Sequence, residues 1–194
     1  TTDGLVVPVT VVEAGPCTVV QKKTEEKEGY NCVVVAFGEQ KENRLNKAQL
    51  GVYKKANVPA HRILRELKLD NAREFEIGKD ITCDIFEEND KVDVTGLTRG
   101  RGFTGVIQRW NQHRLKMTHG VSLVHREVGS MSANSTPSRV FKNKHMPGQY
   151  GHEQVTIQNL EIVKVDTVRN ILLIKGCLPG PRGTIVTIKE SVKA

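Results

Sequence analysis

Short apolar runs separated by polar turns occur over the first 96 residues and again after residue 153. Leu5–Val12, Cys17–Lys22 and Tyr30–Phe37 are rich in valine and other apolar residues, which is typical of strands. Further strands are predicted at Ile81–Phe86, Lys91–Thr95, Val155–Val165, Ile171–Cys177 and Thr184–Lys189. The pattern therefore predicts a mainly β protein.

Residues 39–70 depart from this pattern and are predicted to be partly helical. Asn46–Ala56 is predicted to form a short helix that ends before Val58-Pro59, because the residue before a proline disfavours helical backbone. Ala60–Leu67 is predicted to form a second helical piece, since its apolar residues recur at helical spacing.

Residues 97–152 lack sustained apolar periodicity and are rich in Gly, His, Ser, Asn and basic residues. A stretch of this length without regular structure is usually functional or becomes ordered on a partner. We therefore predict a β body, formed by residues 1–96 and 153–194, with residues 97–152 as a long basic loop inserted between strands. We expect the body to be a closed β-barrel with short helices, because closure removes exposed strand edges.

The net charge of +7 is distributed unevenly along the chain. Residues 97–152 contain nine Lys and Arg residues and one acid, Glu127, so this segment carries +8. It also contains five of the six histidines. A solvated surface normally mixes both signs of charge. The imbalance therefore indicates a polyanionic partner.

The segment Gly100–Gly105 matches the G-x-G-x-x-G pattern and follows a predicted strand, which alone would favour dinucleotide binding and a nucleotide-dependent enzyme. That site needs a βαβ unit. No amphipathic helix is predicted over residues 106–126, and no second βαβ half follows. A flexible Gly/Arg hinge whose backbone approaches phosphates closely is favoured instead.

No other motif predicts catalysis or a metal site. The histidines are irregularly spaced, and the basic segment contains no pair of carboxylates, no G-x-S-x-G and no P-loop lysine. The four cysteines form no C-x-x-C pair and are expected to remain reduced. We expect no enzyme activity, no catalytic residue, no metal and no cofactor.

Trp110 is the only tryptophan of the chain. It could be a core residue or a platform on which a nucleotide base stacks. Its neighbours Arg109, His113 and Arg114 favour base stacking or cation–π packing.

A series of short motifs occurs in order over residues 93–151. The motifs are Asp93-Val94-Thr95-Gly96, Gly100-Arg101-Gly102-Phe103-Thr104-Gly105-Val106, Arg109-Trp110, Thr118-His119-Gly120, His125-Arg126, Gly129-Ser130, Thr136-Pro137, Arg139-Val140-Phe141-Lys142 and Met146-Pro147-Gly148-Gln149. Together they resemble the family of bacterial-type large-ribosomal-subunit protein number three. The resemblance continues at Asp3-Gly4, Val155–Leu160 and Lys175-Gly176, and only residues 39–80 align loosely.

The resemblance implies a β-barrel body on the surface of the large ribosomal subunit and an extension that reaches through ribosomal RNA toward the peptidyl transferase centre. It also implies early RNA binding that supports subunit assembly. The implied partners are large-subunit ribosomal RNA and neighbouring large-subunit ribosomal proteins, with no membrane and no small-molecule substrate. The implied location is the ribosome, in the bacterial cytoplasm or in an organelle.

The resemblance and the charge pattern together identify candidate site residues. The candidate ribosomal RNA-binding residues are Arg99, Arg101, Arg109, Trp110, Arg114, Lys116, His119, His125, Arg126, Arg139, Lys142 and Lys144. The extension tip near the peptidyl transferase centre maps to Gly129, Ser130, Asn134, Ser135, Thr136 and Pro137. The family often has a methylated Gln where this chain has Ser135, so that modification is not expected here.

Two further points bear on this interpretation. The family normally has a strand rich in Gly and Lys before the Asp3-Gly4 turn, and the sequence begins at Thr1, just before this turn. An alternative function is a free-standing RNA-binding β-barrel module or translation factor, although the GTPase motifs of such factors are absent from the sequence.

Overall fold

The computed structural model describes residues 4–69 and 71–193, which are mainly β. The strands are β1 Val9–Glu13, β2 Cys17–Lys23, β3 Cys32–Glu39, β4 His61–Leu67, β5 Asp80–Ile81, β6 Lys91–Leu97, β7 Gly102–Thr104, β8 Gly148–Tyr150, β9 Gln154–Asp166, β10 Ile171–Lys175 and β11 Val186–Glu190. The helices are α1 Glu25–Glu28, α2 Lys47–Ala56 and α3 Val106–Trp110, with 3₁₀ turns at Glu42–Arg44 and Cys83–Ile85. Asp3 of the Asp3-Gly4 motif and residue 70 of the predicted helical region lie outside the described residues.

The strands form open sheets. Their order is β1-β10-β9-β6-β11 in the first, β4-β3-β2-β5 in the second and β7-β8 in the third. Within the described residues, β1 and β11 do not pair with each other, so the closed barrel that we predicted is not supported. The prediction of a mainly β chain with a few short helices is confirmed.

Although the five-stranded sheet is open, two features of the sequence protect its edges. Pro8 immediately precedes β1, and β11 ends on Lys189 and Glu190, so both edges of the five-stranded sheet are short and carry proline or charge. Such residues protect an open edge from pairing with another chain. The strands β2 to β5 are not part of this sheet and form the second sheet.

The second sheet is organised by β3, whose first five residues are buried. Its neighbours β2 and β4 both pair antiparallel to it. One core contains Val19, Val33, Val35 and Ala72, and the other contains Val20, Ala36, Tyr53 and Val58. A strand buried in this way is apolar in nearly every position, and the run Val33–Ala36 shows that property in the sequence.

The strand β4 corrects the prediction of a helix over Ala60–Leu67. This segment pairs with β3, where Phe37 lies opposite Ile63 and Val33 lies opposite Leu67. The eight residues of Ala60–Leu67 are too few for the apolar spacing to distinguish a helix from a strand. The unpaired side of β3 requires a partner for its backbone groups, and this requirement outweighs helix propensity.

The other local predictions differ less from the structure. The helix predicted over Asn46–Ala56 is confirmed as α2, with Asn46 as its cap: the Asn46 side chain accepts a hydrogen bond from the Gln49 amide at 2.8 Å. In the strand predicted over Ile81–Phe86, Ile81 belongs to β5, whereas Cys83–Ile85 form a 3₁₀ turn instead. None of the helices in the described part of the chain has the length and apolar character needed to cross a bilayer.

The chain divides into two compact units. The first comprises the described residues of Thr1–Asp93, Gln158–Cys177 and Glu190–Ala194, and the second comprises Val94–Ile157 and Leu178–Lys189. The whole segment 97–152 therefore belongs to the second unit.

We predict that Leu172→Ala destabilises the fold by about 2–5 kcal/mol, because the Leu172 side chain is fully buried in β10 and its removal leaves a cavity. The matched control is Val168→Ala in the turn before β10, where the side chain is 91% exposed and the expected change is within about 0.5 kcal/mol. Urea denaturation followed by circular dichroism measures both. Similar midpoints for the two variants would contradict the assigned core.

Candidate nucleic-acid interface

A two-stranded ribbon joins the two ends of segment 97–152. The strands β7 and β8 pair antiparallel, with Gly102 opposite Tyr150 and Thr104 opposite Gly148. The Arg101 amide continues this ladder by donating to the Tyr150 carbonyl at 2.8 Å. The segment therefore leaves and returns along one narrow, hydrogen-bonded base.

Glycines allow the two backbones of this base to approach closely. Gly151 has a φ of +71°, and a Cβ placed there would lie 2.0 Å from the Arg99 carbonyl oxygen. A Cβ on Gly148 would lie 2.5 Å from Nη1 of Arg109. Gly151 therefore requires glycine, because the clash is with backbone and φ is positive, whereas a side chain at position 148 would require only the flexible Arg109 side chain to move.

The G-x-G-x-x-G pattern lies on this ribbon. Gly105 precedes α3, which spans only the five residues Val106–Trp110. No amphipathic helix is predicted over residues 106–126, and this short helix is the one helix that the structure has there. The strand after α3 in the described residues is β8, which is antiparallel to β7. The motif therefore lacks the βαβ unit on which dinucleotide binding depends.

Trp110 is held at the end of α3 by groups from the returning chain. Its Nε1 donates to the Met146 carbonyl at 2.9 Å, and Nη1 of Arg109 donates to the same oxygen at 2.9 Å. The indole ring stacks on the His145 imidazole, with centroids 4.1 Å apart and planes within 2°. Trp110 is still 40% exposed. Trp110 could be a core residue or a platform for a nucleotide base, and the structure is compatible with both interpretations. Protein contacts fix the ring, and part of it is accessible to a base.

His145 was not among the candidate site residues, although it forms the closest ring contact of the segment. The signal that could have identified it is its position just before Met146-Pro147 and β8. A chain that pairs with β7 must return beside α3, and this places His145 near Trp110.

Further aromatic side chains of the segment were also missed. Cζ of Arg101 lies 5.6 Å from the centroid of the Tyr150 ring, and Cζ of Arg139 lies 5.7 Å from that of Phe141. Phe103 is 80% exposed and Phe141 is 54% exposed. Exposed aromatic rings beside guanidinium groups are the side chains on which unpaired RNA bases stack.

Between α3 and β8, the described residues contain neither helix nor strand. The Leu115 amide donates to the His125 carbonyl at 3.0 Å, and Nδ1 of His125 lies 3.2 Å from the Lys116 carbonyl oxygen. In the predicted tip, the Ser138 amide donates to the Asn134 carbonyl at 3.3 Å and closes a turn. All six predicted tip residues are exposed. The structure gives the segment local turns but no buried residue beyond Thr104 and Val106.

The predicted RNA-binding residues are distributed along the whole segment. Arg109 and His125 are partly buried, and the exposed members are Arg99, Arg101, Trp110, Arg114, Lys116, His119, Arg126, Arg139, Lys142 and Lys144. The structure brings Arg109 to Trp110 and Lys116 to His125.

None of the nine Lys and Arg residues of segment 97–152 forms an ion pair with an acid of the described chain. The five ion pairs that the described residues form all lie outside this segment. The cationic side chains of the segment are therefore available to an external anion. Among the described residues, no cluster of His, Cys, Asp or Glu side chains could hold a metal ion.

The sequence of this chain matches a known protein family. The family model described as Ribosomal protein L3 matches residues 64–170, more than half of the chain. The chain belongs to the ribosomal protein L3 family. The resemblance noted in the sequence is thereby confirmed.

Two relatives of this L3 family chain are similar over nearly their full lengths. It is 50% identical to the large ribosomal subunit protein uL3 of Fervidobacterium nodosum over 191 residues, which cover 98% of this chain and 92% of the relative. It is 51% identical to the large ribosomal subunit protein uL3 of Acetivibrio thermocellus over 193 residues, which cover 99% of this chain and 91% of the relative.

We predict that Gly151→Ala opens the base of the L3 segment. The new Cβ would collide with the Arg99 carbonyl and would require an unfavourable positive φ, which costs about 1–3 kcal/mol of local stability. The amide of Arg101, which donates to Tyr150, should then exchange its hydrogen about fivefold to 150-fold faster. Amide hydrogen exchange followed by NMR measures this.

The matched control for this change is Gly105→Ala. Gly105 has a φ of −70°, and a Cβ there would meet no atom within 4 Å. Equal protection of the Arg101 amide in the two variants would show that the close approach at Gly151 does not hold the ribbon together.

Proposed function

We propose that this chain is a structural constituent of the large ribosomal subunit that binds large-subunit ribosomal RNA through residues 97–152. Its relatives are named as large ribosomal subunit proteins. The observation that carries the RNA contact is the set of nine cationic side chains with no ion-paired acid, in a segment of nearly fully exposed residues. Arg and Lys in such a segment neutralise RNA phosphates and release the bound counterions.

The division into body and extension follows from the excess positive charge of segment 97–152 and from its lack of a core. A segment carrying +8 with almost no core cannot fold on itself, since its charges repel and ordering costs about 1–2 kcal/mol per residue in backbone entropy. Contact with phosphates removes the repulsion and supplies the free energy for ordering. We propose residues 97–152 as the RNA-penetrating extension and residues 1–96 and 153–194 as the body.

The individual residues have different proposed roles. The Arg and Lys members of the candidate set contact phosphates, whereas Trp110, His119 and His125 offer rings to bases and sugars. Gly129, Ser130 and the stretch Asn134–Pro137 form the tip near the peptidyl transferase centre. The chain acts early in subunit assembly, contacts neighbouring large-subunit proteins, works in the ribosome of the bacterial cytoplasm or of an organelle, and catalyses no reaction.

We predict that RNA affinity of the full chain falls steeply with salt and that deletion of residues 100–150 flattens this dependence. Each phosphate contact contributes about 0.7–0.9 to the slope of log affinity against log salt, so the loss of the segment should lower the slope by several units. Filter binding to in vitro transcribed large-subunit ribosomal RNA measures the slope. An unchanged slope would remove segment 97–152 as the main RNA contact.

We predict that Asn134→Ala and Ser135→Ala alter the sensitivity of ribosomes to inhibitors of the peptidyl transferase centre, because the proposed tip lies near it. Growth inhibition of cells that carry each variant as their only copy measures the effect. Val168→Ala, an exposed change far along the chain, is the control and should leave sensitivity unchanged. If the tip variants match this control, the tip assignment fails.

A further inference from the structure

A second basic surface surrounds α2, outside segment 97–152. Residues 41–62 contain six Lys and Arg residues and one acid, Glu42, so this stretch carries +5. The six are Lys41, Arg44, Lys47, Lys54, Lys55 and Arg62, and all are exposed. A charge count over the whole body hides this group, because acidic stretches such as Glu25–Glu28 offset it.

The six cations of the α2 surface have no acidic partner. The ion pairs of the described residues involve Lys23, Arg73, Lys91, Arg169 and Lys175 instead. The positive charge of the α2 surface is therefore not balanced within the described chain, and an external anion can approach it.

Helix stability explains only part of this charge. Lys54 and Lys55 lie in the last turn of α2, where positive charge interacts favourably with the helix dipole. Lys47 lies in the first turn, where the dipole favours an acid, and that turn contains none. Arg44 lies just before the same helix end. The positive charges of Lys47 and Arg44 are unfavourable at the positive end of the helix dipole. This indicates that they serve an external partner and do not stabilise the helix.

Gly51 gives a second and independent indication. It lies in the interior of α2, where glycine is less favourable than alanine, and a Cβ there would meet no atom within 4 Å. Nothing in the described chain therefore requires glycine at this position. Lys47 and Lys54 are seven residues apart and share one side of the helix, with Gly51 between them. The missing side chain lets a partner backbone approach the helix between two lysines.

The opposite side of α2 is anchored in the body. Tyr53 is buried with Val20 and Ala36, and its hydroxyl donates to the His61 carbonyl at 2.9 Å. Among the described residues of 41–62, Val52 is the one exposed large apolar side chain. Protein interfaces usually have aromatic or apolar anchors, whereas nucleic-acid interfaces are polar and positively charged. The composition of this surface thus favours a nucleic acid over a protein partner.

We propose that α2, with Lys41, Arg44 and Arg62 flanking it in the sequence, is a second RNA-binding surface that takes the phosphate backbone of a ribosomal RNA segment at Gly51. This inference rests on the proposed function, because both surfaces bind the same RNA. It does not need any residue of segment 97–152.

The test is the salt dependence of binding to in vitro transcribed large-subunit ribosomal RNA, measured on the full chain. The α2 variant combines Lys47→Gln, Lys54→Gln and Lys55→Gln. The control variant removes the same charge from exposed lysines that form no ion pair and lie outside both surfaces: Lys27→Gln, Lys79→Gln and Lys164→Gln. The α2 variant should lower the slope of log affinity against log salt by about two to three units, and the control should leave it unchanged.

Two outcomes of this experiment overturn the proposal. The first is a slope equal to that of the parent chain for the α2 variant. The second is an equal loss for both variants, which would show dependence on total charge alone. Deletion of residues 100–150 tests the proposed function separately: a slope that drops for the deletion but not for the α2 variant refutes only the second surface.

Variants of Gly51 provide a measurement that does not depend on charge. Gly51→Ala and Gly51→Gln should melt no lower than the parent, because better helix formers occupy open space. Their RNA affinity should fall in the order Gly, Ala, Gln, since a longer side chain keeps the RNA backbone away from α2. Affinity equal to the parent in both variants would overturn the close approach.

Discussion

The structure depends on an unbalanced charge: the segment 97–152 has nine cationic side chains and no ion pair. Elsewhere, acids such as Glu66 and Glu161 neutralise cations within the chain. The fully buried Ile162, Leu172 and Ile174 supply the apolar burial that segment 97–152 lacks. Under the proposed function, this segment becomes ordered on a polyanion, whereas the remainder is stabilised by its own core.

The ribbon β7–β8 determines how such a segment can be attached to a folded unit. Gly151 lets two backbones come together, and the Trp110 ring is fixed by His145 and Met146 immediately beyond. These contacts define where the segment begins without burying its cations. A narrow, well-packed base and an exposed distal part are what a segment needs to enter a crevice between RNA helices.

The sequence was informative where one property dominates a long stretch. The valine-rich run of β3, the capped helix α2 and the charge of residues 97–152 were all identified in this way. It was misleading where structure depends on distant pairing. The segment of β4 has apolar spacing that fits a helix, yet β3 recruits it as a strand, and sheet closure depends on which strands meet at the edges. The stack of His145 on Trp110 joins residues 35 positions apart, and it follows only once β8 is known to pair with β7.

The most direct test of this account is amide hydrogen exchange over residues 112–147, compared between the free chain and the chain bound to large-subunit ribosomal RNA. The account predicts fast exchange throughout this stretch in the free chain and strong protection in the complex, while the core strands β3 and β10 are protected in both. Strong protection of residues 112–147 in RNA-free solution would contradict it, because the segment would then fold without phosphates.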